Sequence, residues 1–117
     1  MKLLIAISTF VLIAVLHAIP GQDFPKFSFT DIFQLDKLIH AFIFGLGLFT
    51  AAIALAKQYA TQFLRWIAVA YVLYGALLEF AQQLFFENRH ADVLDWIADV
   101  IGVLMGAYLF RKLKYLF

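Results

Sequence analysis

The groups in this sequence that could do chemistry are few: eight acidic side chains and three histidines among 117 residues, with no cysteine. Lack of cysteine removes disulfides, thiolate metal sites and thiol nucleophiles from consideration. Many of the remaining polar groups recur at helical spacing. Asp36 and His40 are four apart and share one helix face. Gly75, Glu79 and Gln83 repeat at four with Gln82 beside them, and Asp92, Asp95, Asp99, Gly102 and Gly106 run at 3-4-3-4 spacing. Imidazole and carboxylate together suit several divalent ions, which makes His40, Glu79, Asp95 and Asp99 the candidate metal ligands. No compact ligand motif such as H-E-x-x-H is present, so no cofactor is expected from motifs alone. The same groups could do acid–base work, with Glu79 or Asp95 as base and His40 as proton shuttle. No Ser, Thr or Cys adjoins His40 as a nucleophile. The plainer alternative is a hydrogen-bonded network that orders the fold, with some of the acids protonated. His17 and His90 read as interfacial or structural, and Arg89 as a partner of Glu87, Asp92 or Asp95, or of an anionic headgroup.

These residues need elements to hold them, and composition decides which. The chain is 65% hydrophobic and 15% charged, against about 45–50% and 25% in soluble domains. A soluble enzyme, a disordered chain and a nucleic-acid-binding surface are all disfavoured. Four apolar runs, at about 3–19, 38–56, 63–85 and 93–110, approach the roughly 17–25 residues that cross a bilayer. The expectation is an all-α polytopic integral membrane protein, four transmembrane helices in a compact bundle forming one domain over 1–117. The first run is read as a retained helix, because Leu16 would stand at −3 of a signal cleavage after Ala18. Residues 20–35, with Pro20-Gly21, Pro25 and four phenylalanines, read as an interfacial loop.

With the amino terminus inside, Lys2, Lys57, Arg65, Arg111, Lys112 and Lys114 fall on the cytoplasmic side and only Lys26, Lys37 and Arg89 outside. Every acid then falls in the outer loops or the outer halves of helices. At about 1.5 Å per residue, Glu79 and Asp99 each lie roughly 9 Å from the outer ends of their helices, and His40 one turn below Asp36. Three helices thus bring ionisable groups to one depth. Gly102-x-x-x-Gly106 extends the acidic stripe as small residues that admit close helix approach, and Gly75 does so on the third helix.

The same positions carry a resemblance. Asp36-Lys37-x-x-His40, Gly75-x-x-x-Glu79-x-x-Gln82, Arg89 with Asp95 six residues on, and Gly102-x-x-x-Gly106 are similar to the VanZ-like family, over roughly 36–106. The resemblance implies a small integral membrane protein whose polar signature is Asp36, His40, Glu79, Gln82, Arg89 and Asp95. The family's name-giving member is associated with teicoplanin resistance. Asp99 stands where the family usually has Asn, Phe44 where Tyr is common, and Glu87 where Pro is frequent.

The expected function is therefore of the cell envelope, in a bacterial cytoplasmic membrane with both termini cytoplasmic. It would modulate glycopeptide or lipoglycopeptide sensitivity through an outward polar site of Asp36, His40, Glu79, Gln82, Gln83, Arg89, Asp95 and Asp99. Two alternatives stay open: a membrane enzyme working on an outer-leaflet lipid or glycolipid by acid–base or metal-assisted chemistry, and a small transporter protomer. Expected partners are membrane lipids, an outer-leaflet lipid or glycolipid ligand, and further copies of the chain, with no nucleic acid.

Overall fold

The computed structural model describes residues 1–18, 29–55, 62–85 and 93–116, with backbone alone described over 29–36. These form helices α1 (Lys2–Ala18), α2 (Phe29–Leu55), α3 (Gln62–Phe85) and α4 (Val93–Leu113), followed by a 3-10 turn at Lys114–Leu116. No strand occurs among the described residues. The four described helices contain no proline, which suits hydrocarbon surroundings, where each backbone group needs an internal partner.

Three stretches, Lys37–Leu55, Gln62–Phe85 and Val93–Leu116, are long and apolar enough to cross a membrane, and α1 is a shorter apolar helix. The bundle measures 42 × 26 × 24 Å, a length matching the roughly 40–45 Å of a bilayer with its headgroups. Its exterior is apolar almost throughout: Phe42, Trp66, Leu77, Phe80 and Leu104 are all well exposed. In water such a surface would be one large sticky patch; against lipid it costs nothing.

The apolar runs end close to where the helices do, except in α2. There the sequence suggests a loop over 20–35, whereas helix already starts at Phe29. The physical reason is that nothing after Pro25 breaks a helix. Thr30, Asp31, Gln34 and Asp36 end the apolar run without ending the helix.

Each helix turns a stripe inward. On α1 it is Ala6, Thr9, Ile13 and His17; on α3, Leu64, Ile67, Tyr71, Gly75, Glu79 and Gln82. The α4 stripe begins with Asp95, Ala98 and Asp99 and continues through Gly102, Val103, Gly106 and Phe110. The centre is filled by Ile13, Phe44, Leu48 and Val103, all fully buried.

The most extensive packing joins α2 to α4, and it is backbone against backbone. A Cβ on Gly102 would lie 2.7 Å from the Ala41 carbonyl carbon, and one on Gly106 would lie 2.5 Å from the Gly45 oxygen. Small residues at such a crossing let helices approach without a hydrophobic driving force between them. The other seams use side chains. Tyr74 stacks on Phe10 with ring centroids 4.1 Å apart and donates its hydroxyl to the Phe10 carbonyl at 2.7 Å, tying α3 to α1. The Trp96 indole N–H donates to the Val72 carbonyl at 3.0 Å, tying α4 to α3.

Candidate functional site

The inward stripes become polar at one end of the bundle, where α1 and α3 finish and α4 begins. Sequence spacing alone puts acids there on α3 and α4, because residues three and four apart share a face. In the structure four buried groups meet: His17 from α1, His40 from α2, Glu79 from α3 and Asp99 from α4. One donor atom from each lies within 4.8 Å of the other three. His40 and Asp99 are closest, with Nδ1 and Oδ1 2.7 Å apart. The His17 ring stands edge-on to the His40 ring, centroids 4.8 Å apart.

Local contacts orient each member. His17 Nδ1 is 2.8 Å from the Ile13 carbonyl one turn back, so this nitrogen donates and Nε2 is the acceptor. Gln82 donates its amide to the His17 carbonyl at 2.9 Å, which ties α3 to the last turn of α1. Gly75 makes room for Asp99: a Cβ there would lie 3.0 Å from Asp99 Oδ2 and 3.2 Å from the Phe44 ring. Phe44 packs edge-on against His17, centroids 5.8 Å apart.

Not all the residues singled out by spacing reach this point. Asp95 is one turn nearer the end of α4. It is paired with the Lys37 ammonium, and its Oδ2 is 4.0 Å from His40 Nε2. It borders the cluster, while His17 completes it. Gln82 is buried, whereas Gln83 is exposed and points away. Asp36 belongs to α2, but its side chain lies outside the described residues, as does Arg89 entirely.

His17 is the residue that sequence reasoning passes over as structural. The available signal was its position four residues after Ile13 and eight after Thr9, near the end of an apolar helix. Gly45, whose own Cβ would meet the Gly102 carbonyl oxygen at 2.9 Å, is the partner of the small-residue stripe that was also missed.

The arrangement can hold and pass protons between imidazole and carboxylate, and it offers two nitrogen and two oxygen donors to a cation. It does not offer a hydroxyl nucleophile among the described residues. Thr9 donates to the Ile5 carbonyl and Thr50 to the Gly47 carbonyl, each within its own helix. Toward the other end of the bundle the interior is closed by Leu48, Ala52, Ile67, Tyr71 and Val103.

An apolar groove of about 390 Å³ runs along the α2–α4 seam, from Leu38 past Ala41, Gly45 and Gly106 to Leu113. Gly45, Gly102 and Gly106 of the small-residue contact line it.

No curated protein and no solved structure matches the chain. A model of one protein family, described as VanZ/LLP1, matches residues 4–115 and so takes in all four helices and every member of the cluster. With nearly the whole chain matched, this protein belongs to the VanZ/LLP1 family.

Proposed function

We propose that this protein is a multi-pass component of the bacterial cell envelope that binds an amphiphile of the outer leaflet at its polar end. Through that binding it would alter sensitivity to glycopeptide and lipoglycopeptide antibiotics of the teicoplanin type. The observation that carries this reading is the convergence of His17, His40, Glu79 and Asp99 at one end of an otherwise apolar bundle. Ionisable groups inside a membrane are costly and normally mark a site. The basic residues favour an orientation with this end outward and both termini cytoplasmic. Lipid hydrocarbon would fill the α2–α4 groove and bring a polar headgroup beside Lys37, which adjoins Leu38 at its mouth.

The test is to express the protein in a susceptible Gram-positive host and measure growth inhibition by teicoplanin and by vancomycin. Expression should raise the inhibitory concentration of teicoplanin more than that of vancomycin. Glu79→Gln and Asp99→Asn, at equal membrane levels, should abolish the change. Unaltered sensitivity on expression of wild-type protein would refute the reading.

A second reading, a membrane enzyme acting on an outer-leaflet lipid, is favoured by the His40–Asp99 pair at 2.7 Å. Such a pair can hold an imidazole in one tautomer for proton transfer. Turnover of a lipid substrate lost on Asp99→Asn would distinguish it from binding alone. A carrier is disfavoured by the apolar closure below the cluster.

A further inference from the structure

We infer that His17, His40, Glu79 and Asp99 form a binding site for one divalent transition-metal ion of the zinc class. The inference goes beyond the envelope reading and stands without it, since a lipid-binding protein has no need of a metal.

Geometry comes first. Four potential ligand atoms, one from each helix of the bundle, lie within 4.8 Å of one another. A tetrahedral ion with bonds of about 2.0–2.1 Å would hold its ligands roughly 3.3–3.4 Å apart. The outermost pair must therefore draw in by about 1.4 Å, a distance that side-chain rotation covers. The His40–Asp99 pair, at 2.7 Å, is already closer than coordination requires and would open slightly.

The donor set selects the ion. Two imidazoles, which are borderline donors, beside two carboxylates make a mixed nitrogen–oxygen set that suits zinc, and also iron, copper and nickel. Calcium and magnesium prefer all-oxygen shells. Two carboxylates would also neutralise a dication, which favours it in a buried, poorly polarisable setting where an uncompensated charge is costly. Burial is complete enough for that argument: relative exposures are 4% for His17, 5% for His40 and Glu79, and 0% for Asp99.

The surroundings are those of an oriented ligand shell. Metal-binding histidines commonly donate their second ring N–H to a carbonyl or carboxylate, which fixes the tautomer and aims the other nitrogen at the ion. His17 does this, giving Nδ1–H to the Ile13 carbonyl at 2.8 Å and leaving Nε2 for the cation. Gln82 secures the His17 main chain in turn. Asp95, engaged by Lys37, lies outside the set of four and borders it through His40 Nε2 at 4.0 Å.

The experiment uses full-length protein in detergent, purified on a tag without histidines and stripped with chelator. ZnCl₂ is titrated by equilibrium dialysis with elemental analysis, and CoCl₂ by visible absorption. Wild-type protein should take up about one equivalent of zinc. His17→Gln should bind it roughly 100-fold more weakly or worse, since loss of an outer-shell partner alone costs about 10–100-fold. Thr50→Ala, which removes only a hydroxyl bonded to the Gly47 carbonyl within α2, should bind as wild type does. Wild-type protein that binds no zinc, or His17→Gln protein that binds it equally well, overturns the inference. Should His17→Gln protein fail to fold, the cobalt spectrum of wild type decides. Intense visible bands of a four-coordinate nitrogen–oxygen site support the inference, and the weak spectrum of hydrated cobalt overturns it.

Discussion

Gly102→Ala adds one methyl group at the point where α2 and α4 touch. The new Cβ would lie 2.7 Å from the Ala41 carbonyl carbon and 2.8 Å from its Cα. Comfortable carbon–carbon separations are about 3.5–4.0 Å, so the helices must part by about 1 Å. Neither atom belongs to a side chain that could rotate away. Forcing extra methyl groups into a packed interior costs roughly 1–3 kcal/mol. The same parting stretches the His40–Asp99 pair, His40 being next to Ala41 and Asp99 one turn from Gly102, from 2.7 Å to beyond hydrogen-bond reach. Hydrogen bonds to charged groups contribute roughly 1.5–3 kcal/mol. Against these stands the helix preference of Ala over Gly, about 1 kcal/mol. The net expectation is a loss of about 1.5–5 kcal/mol. Equilibrium unfolding in mixed micelles, followed by far-ultraviolet circular dichroism, measures it.

Gly47→Ala is the internal comparison. Its Cβ would meet Tyr71 Cε1 at 2.8 Å and Ile13 Cδ1 at 2.9 Å, both side-chain atoms with some freedom to shift. Its stability should stay within about 1 kcal/mol of wild type, since the gain in helix preference offsets the crowding. Equal stability of Gly102→Ala and wild type, or greater loss at Gly47, would refute the backbone-contact account of the seam.

Two further substitutions test the remaining ties, using the same unfolding assay. Lys37→Met leaves Asp95 buried without its ammonium and should cost about 1–3 kcal/mol, with Lys37→Met/Asp95→Asn recovering part of the loss. Tyr74→Phe keeps the stack on Phe10 but removes the hydroxyl bond to its carbonyl; the expected loss is about 0.5–1.5 kcal/mol.

Much of the helical arrangement can be read from the sequence because membrane spans announce themselves as apolar runs. Glu79 and Asp99 are each six residues from the end of their helix at the cluster, since α3 ends at Phe85 and α4 starts at Val93. Rotation about the helix axis is harder. Gly75, Glu79 and Gln83 look like one row, yet steps of four overshoot the helical repeat by about 40° each. Gln82, seven residues after Gly75, drifts only about 20° and in the opposite sense. That difference buries Gln82 and exposes Gln83. On α1 the sequence offers almost no rotational cue, since Leu, Ile, Val and Phe surround the whole helix. His17 could therefore be assigned to no particular face. Asp95 and Asp99 belong to one stripe, and only the location of Lys37 on the neighbouring helix separates their roles. The start of α2 was hidden for another reason: polarity marks where an apolar run stops, not where a helix stops.

The glycine seam also divides the labour of the cluster. Backbone pressed on backbone has no rotamers to exchange, so α2 and α4 behave as a single stiff plate that holds the main chains of His40 and Asp99 in place while their side chains rotate. His17 and Glu79 arrive on α1 and α3, whose described ties are rings and side-chain hydrogen bonds that can readjust. Any tightening around a guest is then a movement of two helices toward a stationary anvil, and substitutions in α1 or α3 should tune the grip without disturbing the surface it closes on.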